Sequence, residues 1–340
     1  MKRILYISLI CSILFGGCNK DEGFDVQQHP LAQGTWEEIN FIADIDIPLN
    51  IEGGAACNNR YYINNYTYAP NNHPESMPTW DSTFNKFYCF FYRNIQHPGQ
   101  ELPTWIDAVP FPGRAREGAM LFAAGNKLYF GLGEHRRLSH AAEQLDDFWV
   151  FDTQSNAWDS IPAPFPGGWR TGAVGFTADG KIYVGTGEDY KDEYGDFYEF
   201  TPENNTWRKV ESMNVNPRSN ARVISIGGEH YFGFGKGSKE YRDFWKFVSE
   251  SQTWERQEPF YEEDFPGMPE APIVFSINQG GKDYAYAYEY DSDLCFVFRA
   301  TEGRWHALEE NPFKGMYCFT LDNRLYGMKD RQTYEFQVES

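Results

Sequence analysis

Tryptophan recurs along this 340-residue chain at Trp36, Trp105, Trp158, Trp207, Trp254 and Trp305, and around the middle ones the sequence repeats in register. The clearest copies read Asp147-Phe148-Trp149-Val150-Phe151-Asp152 ahead of Trp158, Asp196-Phe197-Tyr198-Glu199-Phe200 ahead of Trp207, and Asp243-Phe244-Trp245-Lys246-Phe247 ahead of Trp254. Each follows an apolar run that closes on Gly-x-Gly, ending at Gly133, Gly187 and Gly235. A unit of roughly 50 residues built of short alternating runs and glycine turns cannot bury its sheet faces alone. Stacked radially, each unit covers its neighbour, so the repeat predicts an all-β propeller.

The blade count follows from the tryptophans. Trp254 to Trp305 and Ser225 to Ser276 both step by 51 positions, so a fifth blade keeps the spacing of the fourth although its glycines have drifted to Gly280-Gly281. Within it Tyr284, Tyr286, Tyr288 and Tyr290 alternate with period two, which fits packing between blades. The last unit, with Asn323-Arg324-Leu325-Tyr326-Gly327 and Thr333-Tyr334-Glu335-Phe336, stops before any tryptophan. Gly34-Thr35-Trp36-Glu37 reads as a fourth strand with nothing before it to supply the other three. The N-terminal strand is therefore expected to complete the C-terminal blade, giving six blades and no open sheet edge.

Glycines after an aromatic strand, then Asp-aromatic-aromatic, then Asn-x-Trp, resemble the kelch repeat. The variant is similar to that of secreted Bacteroidetes kelch proteins often labelled galactose-oxidase-like, over residues 110 to 258. The resemblance implies a ligand face at one end of the propeller.

Met1-Lys2-Arg3, the apolar run Ile4 to Phe15 and Gly16-Gly17-Cys18 have the charged head, short apolar core and small-residue end of a secretory leader. The run is too short to span a bilayer. Small residues before a cysteine resemble the lipobox, which implies a signal peptide over 1–17, lipidation at Cys18, and a polar tether over 18–33 leading into a propeller over 34–340. Asn19-Lys20-Asp21-Glu22 resembles the acidic signal that carries Bacteroidetes lipoproteins to the cell surface. The expected location is thus the outer membrane, surface-exposed, with the periplasmic face as the alternative and the lipid anchor as the only membrane contact.

Loss of Lys2 and Arg3 with the leader lowers the Lys plus Arg count from 30 to 28 against 49 Asp plus Glu. Such a chain lacks the dense basic surface that nucleic acid requires. Cys57, Cys89, Cys295 and Cys318 sit singly in strand-like contexts, which favours buried thiols over a disulfide. No His or Cys cluster has zinc-ligand spacing, and the carboxylates from Asp189 to Asp196 read as a solvated loop, so neither a metal nor a cofactor is expected.

Aligning the copies puts Arg116, Arg170 and Arg218 at one position, each at the entry to an innermost strand. The loops between second and third strands begin with Glu134-His135, Glu188-Asp189 and Lys236 and emerge on the same face. One reading is repeated Arg–Glu ion pairs between adjacent blades. The other is that the guanidinium forks bind a carboxylate, as Arg does bidentately, with Lys236 nearby. Trp169, directly before Arg170, and Trp80, in the Pro- and Asn-rich segment Pro70 to Asp81, are candidate platforms for a sugar face. Trp149, Trp245 and the six repeat tryptophans read as packing. Pro269 and Phe313 replace the arginine in blades five and six, so the ring is incomplete.

The galactose-oxidase label implies a copper radical site of tyrosines, histidines and a crosslinked cysteine, and the seven histidines here form no such constellation. A second enzymatic reading is a sugar-acid mutarotase of the sialic-acid type, for which Glu134, Glu188 and His135 are candidate acid and base groups. Hydrolase and nucleotide motifs are absent. The larger expectation is a binding module whose face takes a glycan, a glycoprotein or an outer-membrane partner.

Overall fold

The computed structural model describes residues 4–5, 31, 34–39, 51–68, 83–94, 101–135, 142–238, 241, 243–257 and 271–338. Cys18, the 18–33 segment apart from Leu31, the leader apart from Ile4–Leu5, and Trp80 lie outside them.

Alternating apolar positions and turn residues produce six antiparallel sheets of four propeller strands each among the described residues. Blade one comprises Gly53–Cys57, Arg60–Tyr68, Thr83–Asn94 and Glu101–Asp107. Blade two comprises Met120–Ala124, Lys127–Gly131, Phe148–Asp152 and Ala157–Ile161. Blades three and four, Val174–Ala178 to Thr206–Lys209 and Arg222–Ile226 to Thr253–Arg256, repeat that plan. Blade five runs from Ile273–Gln279 to Arg304–Ala307. The innermost strands meet their neighbours in sequence from blade one to blade six. Tyr61, Ile63, Phe90 and Trp105 of blade one then pack against Phe319, Leu321 and Tyr326 of blade six, which closes the ring.

Blade six joins Tyr317–Leu321, Arg324–Lys329 and Gln332–Val338 to the N-terminal strand Gly34–Glu38. Trp36 sits opposite Phe336 with ring centroids 5.2 Å apart, as the strand count requires. Ile4–Leu5 adds two residues outside the Trp36 strand.

Blade-to-blade burial is the core. Tyr284, Tyr286 and Tyr288 point toward blade six, while Ala285 and Ala287 between them point toward blade four. Two of the repeat tryptophans fasten connections between blades: Trp158 Nε1 donates to Val109 O at 3.1 Å, and Trp207 Nε1 to Ala163 O at 3.2 Å. The Gly-x-Gly motif has two separate causes. A Cβ on Gly131 would lie 2.8 Å from the Phe148 ring, whereas Gly133 holds a φ of +85° that disfavours a side chain. Cys57, Cys89, Cys295 and Cys318 are buried and unpaired.

Candidate functional site

Two connections of each blade share one face, and backbone pairs Glu117–Glu134, Thr171–Glu188 and Ser219–Lys236 hold them together in blades two to four. Arg116, Arg170 and Arg218 lie in the first connection, four residues ahead of Met120, Val174 and Arg222. Their side chains run into the blade. Exposure is 0%, 1% and 0%, so these arginines are part of the wall.

Each guanidinium is held by the aspartate that opens the Asp-aromatic-aromatic motif of its own blade. Arg218 Nη1 and Nη2 donate to Asp243 Oδ1 and Oδ2 at 2.5 and 2.7 Å, and Arg116 does the same to Asp147 at 2.6 and 2.9 Å. Arg170 pairs with Asp196 and also donates to the carbonyls of Gly167 and Thr186. Aromatic rings cover the planes, Tyr194 at 4.0 Å from Arg170 and Tyr241 at 3.9 Å from Arg218. Burial opposes ionisation of Asp147, but the hydrogen bonds and charge of Arg116, with the Trp149 N–H, leave its carboxyl below the usual range. This corrects both sequence readings: the forks are occupied, and by an aspartate of the same blade rather than a glutamate of the next.

A signal for that pairing was present in the sequence. Strand register places Asp147 in line with Leu294 of blade five and Gln332 of blade six, where the arginine is Pro269 and Phe313. Acid and base disappear together, as partners in a buried pair must. Phe313 fills the space with rings, its centroid 5.1 Å from Phe275 and 5.3 Å from Tyr288.

The arginine segments also bind blade to blade. Gly133 N donates to Arg170 O at 2.7 Å and Gly187 N to Arg218 O at 2.8 Å. Gly172 N donates to Gly118 O, and Asn220 N to Gly172 O.

On this frame, Glu134 and His135 are buried in a two-residue ladder with Glu143–Gln144, and His135 Nδ1 lies 2.6 Å from Ala115 O. Glu188 is half-buried and Lys236 exposed. Trp169 is 58% exposed, and Tyr190 from the facing connection of blade three is 65% exposed. Tyr190 escaped sequence reasoning because nothing in its loop distinguishes it from packing tyrosines. Asp189 accepts from Lys191 N, Asp192 N and the Tyr194 hydroxyl, which organises that loop. No cluster of three metal-ligating groups occurs among the described residues.

The channel mouth on this face adds four groups that the repeat does not mark. Glu52, just ahead of the innermost strand of blade one, is accessible to solvent yet ringed by protein. Burial and the neighbouring charge of Glu117 outweigh the Gly118 N–H and raise its carboxyl to about 7. Tyr61 of blade one and Tyr317 of blade six meet through their hydroxyls at 3.3 Å. The charge of Arg222 in blade four reaches Tyr317.

The opposite mouth holds a cavity of about 450 Å³ among the hairpin turns. Its amides bridge blades: Asn323 accepts from Asn278 N and donates to Asn278 O, while Asn278 donates to Asp283.

The KLHDC2/KLHL20/DRC7 Kelch-repeats domain family matches residues 75–269. An N-acetylneuraminate epimerase of Pasteurella multocida (strain Pm70) is 33% identical over 127 residues, 35% of this chain and 30% of that protein. The enzyme of the same name from Yersinia pestis (strain Pestoides F) is 35% identical over 82 residues, 24% of this chain and 21% of that protein. The matches thus span less than a third of either relative. The structure of YjhT superposes over 85% of this chain and 94% of its own, with a TM-score of 0.58 and 14% identity, a likeness of fold.

Proposed function

The chain belongs to the kelch-repeat domain family, and from that premise we propose that it is a lipid-anchored, extracytoplasmic binding module. Its ligand is a glycan, a glycoprotein or an outer-membrane partner, taken up on the face that carries Trp169 and Tyr190. The observation behind this reading is where apolar surface is exposed. Trp169 and Tyr190 are large aromatic side chains left open to solvent, at 58% and 65%, and both belong to the connections of one blade on one face. A flat ring bordered by polar groups suits the apolar face of a sugar, and aromatic anchors dominate many binding surfaces. Arg116, Arg170 and Arg218 serve by holding that rim rigid, which lowers the ordering cost of binding. Trp80, outside the described residues, is a second candidate platform from the sequence. The membrane contact is the lipid on Cys18, and the display site is the outer surface.

The test is a glycan array with the soluble chain beginning near His29, repeated with Trp169→Ala and Tyr190→Ala. Loss of the same spots in both variants supports the reading; unchanged binding in both removes the rim from the site.

A second reading is favoured by one group. A mutarotase needs an acid and a base near a sugar ring, and Glu52, raised to about 7 beside Glu117, holds or releases a proton near neutral pH. The names of the two enzyme relatives point the same way. Anomer exchange of N-acetylneuraminate followed by NMR decides it: acceleration abolished by Glu52→Gln makes the protein an enzyme, and the spontaneous rate leaves it a binder.

A further inference from the structure

The hairpin-turn mouth of the channel is built unevenly. Blades four and five turn there on Gly227-Gly228 and Gly280-Gly281, the residue type that left-handed backbone favours. Blades one and six turn on Asn58-Asn59 and Asp322-Asn323, whose φ values of +53°, +55°, +50° and +59° are left-handed although every position carries a side chain. Glycine makes the same turn in the other two blades, so the turn alone does not call for these polar groups. All four of them line the cavity of about 450 Å³ at this mouth.

The cavity has the make-up of a small-molecule site. Its volume falls within the roughly 300–1,000 Å³ that such sites occupy. Ile226, Ile277 and Leu321, all buried, give it an apolar wall. The polar groups beside that wall are fixed in place. Asn323 is clasped to the backbone of Asn278 by two hydrogen bonds of 2.8 Å, and Asn278 Nδ2 donates to Asp283 Oδ1 at 2.8 Å. The second oxygen, Asp283 Oδ2, reaches the turn of blade four, where a Cβ on Gly227 would lie 2.7 Å from it. On the blade-one side Asn58 Nδ2 donates to Thr153 Oγ1 at 3.3 Å, while Asn59 and Asp322 stand exposed at the rim.

We infer that this mouth is a second ligand site, one that takes a neutral sugar. The class follows from the lining. Carboxylate and amide side chains together offer the acceptors and donors that neighbouring hydroxyls need, and the apolar wall suits the C–H face of a sugar ring. Asp283 and Asp322 repel anions, and no Lys, Arg or His is among the residues that line the cavity, so an acidic sugar is disfavoured. The site lies at the other end of the channel from Trp169 and Tyr190 and stands independently of the reading given for that face.

Saturation-transfer NMR titrations of the soluble chain with methyl glucoside, methyl N-acetylglucosaminide and glucuronate test the inference. At least one of the neutral glycosides is expected to bind, and glucuronate about fivefold more weakly or worse. Asn59→Gly combined with Asp322→Gly removes two side chains from turns whose backbone glycine already suits. This variant should melt like the parent and bind the glycoside about fivefold more weakly, the loss of at least one hydrogen bond. Asp283→Asn, which keeps the shape but removes the charge, should weaken it likewise. Trp169→Ala combined with Tyr190→Ala should leave the glycoside signal intact. Weakening by either mouth variant, with the signal kept in the aromatic pair variant, supports the site. Binding of neither glycoside, glucuronate bound as well as the glycosides, affinity unchanged in both mouth variants, or a signal lost with the aromatic pair overturns it. Calcium chloride that binds by calorimetry while neither glycoside does would make the mouth a cation site, which also overturns the inference.

Discussion

Single residues here divide into charges that are matched and charges that are not. Asp243 is 8% exposed and holds both outer nitrogens of Arg218. Asp243→Ala therefore strands a buried cation and is expected to cost about 3–5 kcal/mol in urea unfolding. The joint change Arg218→Met with Asp243→Leu should recover most of that loss, because blades five and six already live without the pair. A double variant no better than the single one would mean that the ion pair is needed for folding in its own right. Glu52 gives a pH effect of definite sign. Its folded carboxyl is raised from 4.5 to about 7, so between those values the folded chain keeps a proton that the unfolded chain has released. Stability then falls as pH rises from about 4.5 to about 7 and levels off above. Glu52→Gln should remove this slope in melting temperature and leave the variant the more stable protein above pH 7.

At the scale of one element, the connection that carries each arginine is held by backbone conformation as much as by side chains. Gly172 has φ +62°, and a Cβ there would lie 2.9 Å from Asn220 N, whereas Gly180 has φ +74° with open space around it. Gly180→Ala should cost about 1–2 kcal/mol, the left-handed penalty alone. Gly172→Ala should cost clearly more, because its methyl group also presses on the blade-to-blade contact; equal losses in denaturant titrations would remove that contact from the account. The Trp36 strand is the other decisive element. Trp36 is 1% exposed and completes blade six, so Trp36→Ala should cost about 3–5 kcal/mol. Deletion through residue 40 should cost at least as much, and a truncated chain that melts like the parent would show that the blade closes in another way. The strand was legible in the sequence because a fourth strand without three predecessors has one place to go. The partner of Arg218 was legible only through the joint loss of acid and arginine from blades five and six, and its burial was not: twenty-five residues separate Arg218 from Asp243, and burial of the guanidinium depends on Tyr241 and Phe232 folding over it.

For the whole molecule, the acidic balance and the leader are expected to act together. With 28 basic against 49 acidic residues after the expected cleavage, long-range forces repel anions, so any anionic ligand would have to be held by local contacts. Cys18→Ala should abolish lipid labelling and release the protein from the membrane fraction; full retention would refute the anchor. Ile4–Leu5 falls within the segment that cleavage before Cys18 would remove, so the mature sixth blade would end on the Trp36 strand.

The sequence by itself determined the propeller, its six blades, the joining of its two ends and the face on which long connections emerge. These follow from local periodicity, from glycine positions and from counting tryptophans, none of which depends on knowing what lies across the ring. Tertiary structure alone decided what each charge does. Arg116, Arg170 and Arg218 look like ligand forks when aligned, yet packing encloses them with an aspartate of their own blade. Tyr61 and Tyr317 stand 256 positions apart in the chain, yet closure of the ring brings their hydroxyls to 3.3 Å. Charge is counted along a chain, but its partner is chosen in space.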